Sequence, residues 1–470
     1  MAARLWKAGF LLGAVVVAPS LVSGCSCGDS SSSSEAGAGA GGPGSGGQGG
    51  VLFPTGTGGN GACVGLECQQ VICDSGTKTT VTGRVYDPAG KLPLYNVVVY
   101  VPNAPLLPLT DGASCDQCGT LSGSPVVTAL TDTDGRFVLE NVPVGDDIPL
   151  VIQLGKWRRE FVLPSVEKCV DNPTADTTIR LPRNKGEGHI PKIALTTGGA
   201  DPLECLLKKL GLDEAEFTNP DGNGRVNLFT GPDGTSRYKD SLNGGADFEA
   251  ATTLWGTVDS LLRYDIVLMA CEEAQNASQK PQAARQAMLE YTSQGGRVFA
   301  SHWHNYWLQH GPPEFQSVAT WEFLDDPMDT TFIGTVDASF PKGQALSDWL
   351  FNVQASTDPG KLVIIQPQRT IETVNDEVAR QWIYSEAPIT PGIQYFSFNT
   401  PVGVPEEEQC GRMVYSDIHV SSGDEIDRPF PNGCITEDLS PQEKALLFML
   451  FDLSACIIPD DQLPEPPPPE

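Results

Sequence analysis

Two stretches decide the fold: Asp265-Ile-Val-Leu-Met-Ala-Cys271 and Arg297-Val-Phe-Ala-Ser-His-Trp303. Each is an apolar run of strand length. Residues Pro281–Tyr291 between them read as a helix, capped by Ser278 and stopped at Gly295-Gly296. Strand, helix, strand in about forty residues is the unit of a parallel sheet, and such sheets bind ligands where their strands end. The second strand runs straight into His302-Trp303-His304-Asn305-Tyr306-Trp307, and three of the chain's five histidines fall between positions 302 and 310.

Working outward, Ile193–Thr197 reads as a strand ending in Gly198-Gly199, and Pro202–Leu210 as a helix closed by Gly211. Ala250–Tyr264 reads as a further helix with Leu254, Val258, Leu261 and Leu262 on one face. Downstream, Leu362–Gln366 and Gln394–Phe398 are less regular strands, and Arg412–His419 is a strong one. Ser440-Pro-Gln-Glu443 is a capping box with proline at the first helical position. It opens an amphipathic helix through Leu446, Leu447, Leu450 and Leu453. The expectation for residues 187–458 is an α/β, flavodoxin-like three-layer domain with a mostly parallel sheet.

Upstream the period is that of strands. Val81–Tyr86, a turn at Asp87-Pro-Ala-Gly90, Tyr95–Val101, Thr131–Leu139, Ile148–Leu154 and Arg159–Leu163 give short strands at the spacing of an all-β sandwich over residues 63–186. The chain is therefore expected to be multidomain. Pro459–Glu470 reads as an extended, solvated, proline-rich acidic tail.

The N-terminus sets the compartment. Arg4 and Lys7 precede an apolar run from Ala8 to Ala18, too short to span a bilayer, so residues 1–24 read as a signal peptide. Leu21-Val22-Ser23-Gly24-Cys25 resembles the lipobox of bacterial lipoproteins, which implies cleavage before Cys25 and its acylation. Ser26 after the cysteine implies, by the same resemblance, the outer membrane. Gly28–Ala62 is a Gly/Ser-rich tether spanning roughly 30–35 Å as a coil. No later segment is apolar enough to cross a membrane. The formal charge of −29 argues against nucleic acid as a partner.

Thirteen cysteines in an exported chain point to disulfides. Cys63, Cys68, Cys73, Cys115, Cys118 and Cys169 form an N-terminal set of six, with fifteen pairings open. Cys115-Asp-Gln-Cys118 has the spacing of a redox or zinc motif but lacks a second pair. In the second set, a flavodoxin-like arrangement would bring Cys205 near Cys456. Cys410 and Cys434 could then close the loop between them, leaving Cys271 as the odd thiol.

Residues 77–183 resemble the carboxypeptidase regulatory-like, transthyretin-like family. The match lies in Thr82-Gly-Arg-Val-Tyr-Asp-Pro-Ala-Gly90, Thr131-Asp-Thr-Asp-Gly-Arg-Phe137 and Val142-Pro-Val-Gly145. Residues 190–457 resemble the class I glutamine amidotransferase-like fold, and within it the ThuA-like domains. That likeness rests on Tyr264-Asp-Ile-Val-Leu, Tyr291-Thr-Ser-Gln-Gly-Gly-Arg-Val-Phe-Ala-Ser-His302 and Gly411-Arg-Met-Val-Tyr-Ser-Asp-Ile-His419. Glutaminases of that fold carry Gly-x-Cys-x-Gly at the turn after the strand that here reads Arg297–Ser301. This chain has Ala300-Ser301-His302-Trp303 instead, and no His-x-Glu pair, so amide hydrolysis by that triad is not expected.

Three readings of the strand ends compete. In the first, His302, Trp303, His304, Tyr306, Trp307, Glu272, Glu273, Asp417 and His419 line a pocket for a small molecule or glycan. In the second, His302, His304 and His419 hold a divalent metal such as zinc. In the third, the aromatics are core and the histidines are satisfied polar groups. Cys271 or His304 could serve a hydrolase, with Cys271 as a nucleophile activated by a histidine. Asn219, Asp221 and Asn223 have calcium-loop spacing, but Thr230 stands where the bidentate glutamate belongs. No cofactor is otherwise expected. The leading expectation is an anchored, extracytoplasmic ligand-binding protein, the rivals a hydrolase and a structural envelope protein.

Overall fold

Ile266–Met269 is buried on both faces, and this is why its four residues are all apolar rather than alternating. It lies at the centre of the large sheet of this computed structural model, which describes residues 63–115, 121–323, 331–385, 392–420 and 423–469. The expected signal peptide, Cys25 and expected tether (residues 1–62), and Cys118, lie outside the described residues.

The N-terminal region holds β1 (Thr80–Arg84), β2 (Val98–Pro102), β3 (Pro125–Leu130), β4 (Arg136–Glu140), β5 (Gly145–Leu154), β6 (Trp157–Val166) and β7 (Asp171–Pro173). They form a four-stranded antiparallel sheet ordered β3-β2-β5-β6 and a three-stranded sheet ordered β4-β1-β7. Val81, Phe137 and Leu139 of one sheet share a single apolar cluster with Val99, Leu150 and Ile152 of the other.

The second region runs β8 (Ile193–Thr196), α1 (Leu203–Lys209), β9 (Phe217–Thr218), β10 (Val226–Thr230), β11 (Glu249–Ala250), α2 (Ala251–Leu254), α3 (Val258–Leu262) and β12 (Ile266–Met269). It continues with α4 (Gln282–Ser293), β13 (Arg297–Ser301), α5 (Tyr306–Gln309), α6 (Pro313–Gln316), β14 (Ala319–Trp321), β15 (Thr331–Val336), α7 (Pro341–Asn352) and β16 (Lys361–Ile365). It ends with β17 (Ile371–Val374), β18 (Arg380–Ser385), β19 (Ile393–Thr400), β20 (Gly411–Ser416) and α8 (Pro441–Ser454). Eleven strands make one sheet, ordered β11-β10-β8-β12-β13-β20-β19-β18-β15-β16 with β9 beside β10. From β11 to β20 all pairings are parallel; from β20 to β16 all are antiparallel. The sheet is thus mixed, with a parallel half and an antiparallel half, rather than mostly parallel.

Side chains of the parallel strands alternate between two cores. Ile193, Leu195, Ile266, Leu268, Phe299 and Val414 join a cluster with Leu206 of α1, Leu446 of α8 and the N-terminal sheets. Ala194, Val267, Met269, Val298, Ala300, Met413 and Tyr415 join a second one with Leu254, Met288 and Trp307. Helices therefore cover both faces, as α/β patterning requires.

Several local expectations need correction. The helix over Ala250–Tyr264 is two short ones, because Thr257 caps α3 by accepting from the Ser260 amide at 3.2 Å. Ser278 does not cap α4; it lies in a separate turn, and Pro281 precedes the helix. The capping box at Ser440 and Glu443 is present. The proline-rich tail is mostly exposed, as expected, but is tied down at two points: Asp460 pairs with Arg412 at 2.8 Å and the Pro467 carbonyl accepts from Thr128 at 2.6 Å.

The disulfides also rearrange the expectation. Cys63–Cys68 and Cys73–Cys169 close within the N-terminal region, but Cys115 crosses to Cys410, and Cys205 pairs with Cys434. Cys410 and Cys434 therefore do not close the loop between them, because each is held by a partner from elsewhere in the chain. Cys456 is bonded as well, and not to Cys205. Cys115 is therefore not half of a redox or zinc CxxC. Residues 62–470 form one compact unit. A buried pair tightens it, with Lys156 Nζ 2.6 Å from Asp265.

Glu204 in α1 is buried with Oε2 lacking a hydrogen-bond partner. Burial pushes its carboxyl up to about 7, with help from the charges of Asp424 and Asp201. The folded chain then keeps this proton between about pH 4.5 and 7 while the unfolded chain releases it, so stability falls as pH rises through that window. Glu204→Gln is expected to stabilise the protein by about 3 kcal/mol at about pH 8. The gain should vanish near pH 4, as read from urea midpoints at the two pH values. A gain independent of pH would contradict this.

Candidate strand-end site

The parallel register brings the carboxyl ends of β8, β12, β13 and β20 to one edge, pairing Met269 with Thr196 and Ala300, and Ser301 with Ser416. The residues that follow each strand share that rim: Asp201, Cys271, His302 and His419. Cys271 Sγ lies 3.5 Å from His302 Nδ1, and His419 Nε2 lies 3.2 Å from that same nitrogen. Cys271 is 0% exposed and His302 5%, while His419 is half-buried.

Backbone geometry explains the cluster. His302 has φ +35°, a left-handed value disfavoured for a side-chain-bearing residue, so the chain turns sharply as β13 ends. Tyr415 Oη holds this turn by donating to the His302 carbonyl at 2.5 Å, and lies 3.1 Å from Asp417 Oδ1. Asp417 accepts further from the Thr370 amide and hydroxyl, each at 2.7 Å. Burial pushes the Asp417 carboxyl up to about 6. Asp201 accepts from the Ser301 hydroxyl and from the Val420 amide, tying three strand ends together. A Cβ on Gly198 would stand 2.2 Å from the Cys271 carbonyl oxygen, so only glycine lets β8 pass that close.

Burial, with the charge of Asp201, pushes the Cys271 thiol well up. Burial, then His419, holds the His302 imidazole well below its usual range. Without a cation, burial therefore disfavours both the Cys271 thiolate and a charged His302 ring.

Other candidate residues go elsewhere. His304 does not join His302 and His419 as expected, because the chain coils after Ser301 and carries it into the core. There its Nε2 meets the Ala270 carbonyl at 2.9 Å, and its Nδ1 accepts from Trp307 Nε1 at 3.0 Å. Trp307 is wholly buried against Trp255. Tyr306 accepts from Arg285 on α4. Glu272 pairs with Lys280 at 2.5 Å. Glu273 is exposed beside Gly199. Only Trp303 of the expected aromatics stays at the rim, half-exposed and stacked on Phe323 at 5.5 Å. Phe323, Asp201, Tyr415 and Thr370 carried no signal in the sequence that would single them out. At the calcium-like loop, Lys185 Nζ lies 2.8 Å from the Asn223 carbonyl, an ammonium where an ion would compete.

The fold and this rim define an α/β protein with a soft, buried donor cluster at its strand ends. No family model matches the chain, and no curated protein matches it. Among solved structures it is similar to a ThuA-like protein from Bacteroides uniformis, at 12% identity, with 48% of this chain and 80% of that one covered and a TM-score of 0.29. It is also similar to two type II cohesin–X-dockerin complex structures from Acetivibrio cellulolyticus. Each is 18% identical, with 30% and 29% of this chain and 75% and 85% of the other covered, and TM-scores of 0.15 and 0.17. Likenesses this distant decide neither fold nor activity.

Proposed function

We propose that the chain is an exported lipoprotein, acylated at Cys25 and anchored in the outer membrane, whose α/β domain binds a small molecule or glycan at the strand-end rim. The lipobox and the Gly/Ser-rich tether support the anchor. The alternation of short strands over residues 63–186 supports a transthyretin-like sandwich acting as spacer, and Tyr291–His302 with Gly411–His419 supports a ThuA-like α/β domain. The observation that carries ligand binding is the Trp303–Phe323 stack. Its rings are 9° from parallel, Phe323 is 42% exposed, and the Trp303 ring lies 4.7 Å from that of buried His302. An open aromatic face beside polar groups suits a sugar or another flat, hydroxylated ligand.

Two readouts test this. Palmitate should label the wild type in cells and not Cys25→Ala. In a thermal-shift screen of mono- and oligosaccharides and cyclic metabolites, at least one compound should stabilise the protein. Trp303→Ala should weaken that compound about tenfold, the scale of one aromatic stack with its buried area. Undiminished binding by Trp303→Ala, or a flat screen, would count against the rim as the ligand site.

A further inference from the structure

We infer that Cys271, His302 and His419 form a binding site for one zinc-class divalent ion, with a coordination position left open to water or to the ligand of the rim. This deepens the reading above and rests on the same strand ends. The donor atoms Sγ, Nδ1 and Nε2 all lie within 4.8 Å of one another. In a tetrahedral zinc site, with Zn–S of about 2.3 Å and Zn–N of about 2.0–2.1 Å, sulfur and nitrogen ligands stand about 3.6 Å apart and two nitrogens about 3.3 Å apart. The observed separations are 3.5 Å and 3.2 Å. Two edges of the coordination tetrahedron are therefore already in place.

The donor set fits the ion. One thiolate and two imidazoles are the borderline-soft ligands zinc prefers over calcium or magnesium. Three protein ligands are the number found where zinc keeps a position for water or substrate. The ligands are also held in place. The Cys271 carbonyl accepts from the Ala200 amide at 3.3 Å, the His302 carbonyl from Tyr415, and the His419 carbonyl from Gln442 of α8 at 2.5 Å. The Asp201 and Asp417 carboxyl groups are fixed beside the same strand ends, Asp201 by Ser301 and the Val420 amide and Asp417 by Thr370. A closed zinc cage would bring a fourth side chain, and among the described residues none joins the three.

The test uses the untagged, lipid-free folded chain, stripped with chelator and titrated with zinc chloride in a calorimeter. One zinc per chain is expected. Cys271→Ser and His419→Ala should each weaken it at least about 100-fold, more than the loss of an outer-shell partner. His310→Ala, at an exposed ring outside the cluster, should bind like wild type. Cobalt(II) in place of zinc should give a thiolate charge-transfer band that Cys271→Ser lacks. Should Cys271→Ser fail to fold by circular dichroism, half-buried His419 carries the comparison. No stoichiometric binding, or wild-type affinity in His419→Ala, overturns the inference. Zinc titration needs no organic ligand, so its failure leaves the Trp303–Phe323 reading standing, and a flat glycan screen leaves the metal site standing.

Discussion

Lys280→Ala is expected to destabilise the protein by about 3–5 kcal/mol, the cost of stranding a buried charge. Lys280 and Glu272 are 0% and 1% exposed and meet at 2.5 Å, with Asn276 Nδ2 also on the carboxylate at 3.3 Å. Burial lowers the lysine and raises the glutamate, and the charge of each partner opposes that shift in the other. Glu272 Oε1 has no hydrogen-bond partner and lies 3.8 Å from His304 Nε2, which is beyond hydrogen-bond reach, so the loss of the ammonium leaves the carboxylate with Asn276 alone as a donor among the described residues. Urea denaturation should show the loss, largest at neutral pH and smaller in acid, where the stranded carboxyl can protonate. Lys280→Met with Glu272→Met should recover most of it, because removing both charges removes the stranded one. Failure of the double variant to recover would mean the pair matters for something other than its charge. The pair also braces the segment just after Cys271, so the single variant should loosen the donor cluster.

The second large effect belongs to Cys205–Cys434. The bridge joins α1 to the loop beyond His419 across 229 residues. In the chain-entropy account a loop of that length is worth about 5 kcal/mol, against about 2 for the five-residue separation of Cys63–Cys68. Cys205→Ala with Cys434→Ala should therefore lower the urea midpoint far more than Cys63→Ala with Cys68→Ala. Equal effects would mean that residual unfolded-state structure or local packing sets the contribution, not loop length.

Much of the parallel half was legible because its strands are buried on both faces and read as unbroken apolar runs, as in Ile266–Met269. The antiparallel half was harder. Thr331–Val336 and Arg380–Ser385 are half-buried strands whose pattern is broken by Gly334 and the ladder irregularities near Trp382, and neither was identified. At the rim, His302, His419 and Asp417 were found because they follow strands directly. His304 was misplaced because the backbone turns through positive φ at His302, and nothing in the local sequence marks that turn. Trp307 looked like a ligand contact for the same reason. Cys271 emerged as the free thiol, but through pairings that do not form. Disulfide partners are set by which strand ends coincide in space, and spacing along the chain does not carry that.

Zinc-edge anomalous diffraction from crystals of the zinc-loaded protein tests the convergence of the strand ends most directly. The expected map has one strong peak about 2.3 Å from Cys271 Sγ and about 2.0 Å from a ring nitrogen of both His302 and His419. A peak held by other residues, or the two imidazoles turned to opposite sides of the β13 exit, would contradict the site.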